Sequence, residues 1–125
     1  MARSEAVITG SCHCGAVQIR VRRMVRTLTS CNCSICRRYG ALWAYYAPAS
    51  VTIRAARGAL AGYSWNRRVR IYYRCARCGC VTHYKYREKR RQSTLAVNAA
   101  NFEPAALTGV RIRHLDGAAS WKFLD

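Results

Sequence analysis

Eight cysteines offer this chain its most obvious chemistry, and they fall in three clusters. Cys12-His13-Cys14 is a C-x-C, and Cys31-Asn32-Cys33-Ser34-Ile35-Cys36 is a C-x-C-x-x-C. Cys75-Ala76-Arg77-Cys78-Gly79-Cys80 is a C-x-x-C-G-C. Zinc holds thiolates at ~2.3 Å in a tetrahedron, which sets ligand sulfurs ~3.8 Å apart. A C-x-C in extended chain puts both side chains on one face. A C-x-x-C reaches the same separation through a tight turn, where Gly79 suits a positive φ. In the reducing cytoplasm expected for this chain, three such clusters point to metal rather than to disulfides.

The partition matters more than the number. Cys12, Cys14, Cys75 and Cys78 make a complete four-sulfur set, the mark of a closed structural site joining the two ends of the chain. Cys31, Cys33 and Cys36 supply three sulfurs within six residues and leave one tetrahedral position open, as a catalytic zinc requires. Two zinc ions per chain are expected, one structural and one of catalytic type. Cys80 leaves three readings open: a small buried residue, an accessible redox thiol, or a fourth ligand that closes the second site.

The run Gly10-Ser11-Cys12-His13-Cys14-Gly15-Ala16-Val17, the Cys31-x-Cys33-x-x-Cys36-Arg37 segment and Cys75-x-x-Cys78-Gly79 resemble the glutathione-dependent formaldehyde-activating enzyme family, whose domain is shared with centromere protein V. Arg113-His114-Leu115-Asp116-Gly117 and Trp121-Lys122 resemble a bacterial branch of it. The similarity spans nearly the whole chain. It implies one zinc domain over residues 1–125 with a β-tent fold. It also implies a structural zinc on Cys12, Cys14, Cys75 and Cys78 and a labile zinc on Cys31, Cys33 and Cys36. The implied activity is that of a carbon–sulfur lyase adding glutathione to formaldehyde.

The residues agree with such chemistry. A thiol reaching a zinc with an open position loses its proton, and a thiolate held beside an aldehyde gains from proximity. Arg37 and Arg38 follow the third cysteine, and their forked guanidiniums can hold the carboxylates of a thiol such as glutathione. The ordinary alternative for both is solvation at the surface. Trp43 and Tyr45 can wall a pocket beside the open site, although core packing is the usual fate of such aromatics, Tyr46 included. His13 lies between two ligands on extended chain and so faces away from their metal. His83 reads as a satisfied sheet residue, and His114 belongs to the C-terminal motif.

These side chains need a scaffold, and the pattern supplies a mainly β one. Ala16–Arg22 alternates, with Val17, Ile19 and Val21 on one face. Leu42–Tyr46, Val69–Tyr73, Val81–Tyr86, Leu95–Asn98 and Val110–His114 read as further short antiparallel strands, and helical turns fit only near Ile35–Tyr39 and Pro48–Arg54. Arg87–Gln92 reads as an exposed charged hairpin loop.

The 125 residues suit one domain, without repeats. No apolar run is long enough to span a membrane, and the opening MARSEAVITGSC carries no secretory pattern. No Ser-His-Asp order, phosphate-binding glycine loop or paired-carboxylate site is legible. The formal charge of +17 comes almost wholly from arginine, an imbalance that GC-rich coding can produce by itself. Seven thiolates on two zinc ions trim it to about +14. A positive field draws anions, so a basic nucleic-acid module is a rival reading. It rests on Tyr72, Tyr73, Tyr84 and Tyr86 for stacking and on Arg70, Arg74, Lys85 and Arg87 for phosphates. A non-catalytic zinc scaffold is the other rival.

Overall fold

Val17, Ile19 and Val21 alternate with Gln18 and Arg20, and the strand they form, β2 (Val17–Val21), buries all three. In the computed structural model, which describes residues 7–65, 68–89 and 92–125, β2 is the centre of a three-stranded antiparallel sheet. It lies between β1 (Ile8–Ser11) and β5 (Val51–Ala55). The opening residues 1–6, and Arg90 and Arg91 of the charged loop, lie outside the described residues.

The second sheet has seven strands: β3 (Thr27–Cys31), β4 (Trp43–Tyr46), β6 (Leu60–Tyr63), β7 (Arg70–Cys75), β8 (Val81–Tyr86), β9 (Leu95–Asn98) and β10 (Arg111–Leu115). Their order across the sheet is β10-β3-β4-β9-β8-β7-β6. One helical turn, α1 (Cys36–Tyr39), follows β3. The mainly β fold expected from the sequence is the fold observed.

Period-two alternation gives this large sheet two different faces. Ala44, Tyr46, Leu95 and Val97 pack with Ile19, Val21, Leu28 and Phe102 into the main core, beneath the small sheet. Trp43, Tyr72, Tyr84 and Ala96 point the other way and pack with Cys31 and Cys36. The three-cysteine cluster therefore sits on an aromatic floor. Its rings are tightly set: Trp43 and Tyr84 meet edge-on at 4.7 Å between centroids, and Tyr72 and Tyr84 at 5.2 Å.

Two expectations need correction. Pro48–Arg54 is not a helical segment: a single 3-10 turn at Pro48–Ser50 gives way to β5, because Val51 and Ile53 alternate into the core and pair with β2. The strands are not all antiparallel, since β10 runs parallel to β3 along Arg111–Leu115. The sequence reading also lacks β1, β3, β5 and β6. ITGS and LAGY are short and broken by glycine, and pairing with stronger neighbours holds them extended. In the charged loop, Arg87, Glu88, Lys89 and Gln92 are exposed, as expected.

Candidate metal centres

Cys12 and Cys14 lie in the turn between β1 and β2, Cys75 ends β7, and Cys78 lies in the turn between β7 and β8. The sulfurs of Cys12 and Cys14 are 3.7 Å apart and those of Cys14 and Cys75 3.6 Å apart. All four lie within 4.8 Å of one another. These spacings match the ~3.8 Å edge of a zinc–thiolate tetrahedron. Backbone N–H groups already point at the sulfurs: Val17 donates to Cys12 at 3.3 Å, and Arg77 and Cys78 donate to Cys75 at 3.4 and 3.5 Å. N–H donation from Cys80 and Cys14 brings the Cys78 thiol down to about 5. Gly79, at φ +82°, closes the turn as its position predicts. The set fits a metal and stitches the small sheet to the large one.

Cys80 lies beside this set, packed with Cys12, Val17, Ala59 and Cys75. It does not join Cys31, Cys33 and Cys36, so its reading as their fourth ligand is removed.

Those three sulfurs also lie within 4.8 Å of one another. Cys31 ends β3, and the helical turn brings Cys36 back over Cys33, whose sulfur accepts the Cys36 N–H at 3.4 Å. The Trp43 indole, 1% exposed, donates to the Cys36 sulfur at 3.4 Å. Burial pushes the Cys36 thiol up to about 12 in the metal-free chain, with the indole pulling against it. A coordinating metal relieves that cost, because it displaces the thiol proton. This set fits a metal too, and no His, Asp or Glu among the described residues joins it.

The chain after β10 folds back over the cluster. Asn32, between the first two cysteines, donates to Asp116 at 3.0 Å and accepts the Ala118 N–H at 2.9 Å. Asp116 in turn accepts from the Ser120 hydroxyl at 2.9 Å. Gly117 packs so closely on Cys31 Sγ and the Cys33 side chain that no Cβ has room. A cavity of about 40 Å³ remains against the three sulfurs, walled by Trp43, Tyr45, Tyr72, Tyr84 and Arg70. It adjoins a groove of about 380 Å³ that Cys33, Arg70 and Tyr72 also line, with Trp65 and Trp121 beside them.

Cysteine spacing, a β scaffold and an aromatic pocket beside an incomplete ligand set match a known pattern. A family model described as glutathione-dependent formaldehyde-activating enzyme matches residues 7–112. The chain belongs to that family. No curated protein matches it. Among solved structures, the crystal structure of a Rhodobacter sphaeroides protein, a structural genomics target, is similar, with 29% sequence identity and a TM-score of 0.68. The match covers 84% of this chain and 99% of that one.

In this member of the formaldehyde-activating family, the residues named from sequence are distributed unevenly. Trp43 and Tyr45 reach the small cavity, whereas Arg37 and Arg38 do not line it. Arg38 donates to the Ser34 carbonyl at 2.7 Å, and Arg37 lines another groove together with Cys31, Cys36, His114 and Asp125. His13 is exposed, and His83 is buried in the sheet. Sequence reasoning names Arg70 and Tyr72 only for the nucleic-acid reading and misses their place beside the cysteines, because their alternation reads as hairpin pattern. It also missed Trp65, Trp121 and Gly117, which come to the site from elsewhere in the chain. Gly117 and Trp121 had a signal, as parts of the C-terminal motif.

Proposed function

We propose that this protein is a zinc-dependent carbon–sulfur lyase that joins a small thiol, glutathione in the first instance, to formaldehyde or another small aldehyde. The carrying observation is the three-sulfur cluster with a cavity of about 40 Å³ against it. In this reading Cys12, Cys14, Cys75 and Cys78 hold one structural zinc, and Cys31, Cys33 and Cys36 hold a second. Cys31, Cys33 and Cys36 would hold that second ion, which when bound would ease the loss of a proton from an incoming thiol.

The protein's own side chains do the rest. Trp43 fixes Cys36 by its indole N–H, and Asn32 with Asp116 clamps the covering loop over the cluster. The aromatic walls exclude water, so thiol and aldehyde meet without competing solvent. The thiol sulfur bonds to the carbonyl carbon, the π pair moves to oxygen, and that oxygen takes up a proton. Arg37 supplies positive charge at the neighbouring groove, where it attracts an anionic thiol.

Calorimetric titration of glutathione into zinc-loaded protein tests the binding step, with Cys36→Ser as control. NMR then follows S-(hydroxymethyl)glutathione from formaldehyde. Formation faster than the uncatalysed rate is the expected result. Binding without acceleration reduces the protein to a thiol-binding relative, and no binding leaves a zinc scaffold.

A further inference from the structure

Arg70 opens β7, and its guanidinium lies over two tyrosine rings, 5.6 Å from the Tyr84 centroid and 5.2 Å from that of Tyr86. It is half-buried and lines both the small cavity against the sulfurs and the larger groove beyond. The side chains that weigh most on its charge are tyrosines: Tyr86, Tyr84 and Tyr72. A planar fork of five donors is thus partly desolvated, held by two ring faces and by a hydrogen bond to the Tyr86 side chain. The donors left over are positioned for acceptors that a ligand brings.

The groove around it is mostly aromatic and aliphatic, with Trp65, Trp121, Tyr72, Ile35 and Val69 on its walls and Ser34 and Cys33 as its other polar side chains. Trp65 and Trp121 are 39% and 60% exposed, so large apolar faces stand open at this point. Trp121 is also held at φ +60°, a strained conformation for a residue with a side chain. One cation among apolar walls suits a ligand with one carboxylate on a small body.

We propose that Arg70 is the carboxylate-binding residue of this site, gripping the acid group of a reactant whose other end reaches Cys31, Cys33 and Cys36. The inference rests on the thiol-addition reading above. The carboxylate belongs either to the thiol or to an aldehyde of the 2-oxo acid type, and the guanidinium fork serves both alike.

The test uses zinc-loaded wild type, Arg70→Gln and Arg70→Met, read by tryptophan fluorescence from the groove. Mercaptoacetate is compared with mercaptoethanol. Glyoxylate is then compared with acetaldehyde in the presence of mercaptoethanol. Wild type should prefer the acid in one pair by about tenfold or more, the scale of a hydrogen-bonded charge, and Arg70→Gln should erase that preference. A preference in the first pair assigns the carboxylate to the thiol; in the second, to the aldehyde. Arg70→Met keeps an apolar stem over the tyrosines and gives the same reading if Arg70→Gln does not fold. Equal affinities within both pairs, or a preference that survives the substitution, overturn the assignment and leave thiol binding standing. Failure of wild type to bind either thiol overturns both.

Discussion

Two single residues show how sharply position decides role. Gly117 needs no special backbone angle; it is glycine because Cys31 Sγ occupies the space of a side chain. Gly117→Ala should push the covering loop off the cluster and halve metal content, leaving the four-sulfur site loaded. Cobalt substitution followed by absorption spectroscopy counts the sites, and two cobalt ions at wild-type affinity would contradict the packing. His83 is 1% exposed, hydrogen-bonded to Thr82 at 2.8 Å and stacked on Tyr73. Burial, helped by the charge of Lys85, brings it down to about 4 from 6.5. Between those values the unfolded chain binds the proton and the folded chain does not. Stability is therefore complete above pH 6.5 and lost as pH falls toward 4, by about 3 kcal/mol. Denaturation of wild type and His83→Gln across that window isolates the effect, because thiolate protonation is common to both. Parallel pH profiles would remove His83 from the account.

At the scale of elements, the two cysteine sets differ in what they connect. The four-sulfur set joins the β1–β2 turn to the β7–β8 turn and so ties together sheets that share no strand. The three-sulfur set lies within one stretch of chain, at the end of β3 and the start of α1. Structural zinc contributes roughly 10–16 kcal/mol in small zinc domains, as much as a whole domain's net stability. Cys78→Ser should therefore unfold the protein or abolish its solubility. Cys36→Ser should keep the fold and lower metal occupancy. Thermal melts with elemental analysis compare the two, and equal drops in Tm would erase the distinction.

For the whole molecule, the question is what a formal charge of +17 does. Tyr72 and Tyr84, on which a nucleic-acid platform would rely, are buried with Trp43, and Arg70 is stacked on Tyr84 and Tyr86. Tyr73 is engaged by His83. What β7 and β8 leave for nucleic acid is charge, since these tyrosines are engaged in packing. Binding to single-stranded DNA should be weak at physiological salt and fall steeply as salt rises. Salt-resistant binding that a folded Tyr84→Ala/Tyr86→Ala variant loses would reverse this conclusion. No helix among the described residues is long and apolar enough to cross a membrane.

The sequence by itself determined the β character, the strongest strands and the division of seven cysteines into four and three. All of these depend on local geometry: alternation fixes which face a residue takes, and C-x-C or C-x-x-C spacing fixes how close two sulfurs come. Val17, Ile19 and Val21, and the Gly79 turn, were legible for that reason. The tertiary structure decided what depends on distant segments meeting. It set Cys80 beside the four-sulfur set, turned Val51–Ala55 into a strand and ran β10 parallel to β3. It also spent Arg38 on a local carbonyl and brought Arg70, 34 positions beyond Cys36, to the cavity that adjacency had assigned to Arg37 and Arg38. Nearness along a chain limits which groups can meet, but the facing of each side chain follows from strand pairing. Arg70 reaches the cysteines because β7 lies across the aromatic floor on which they rest.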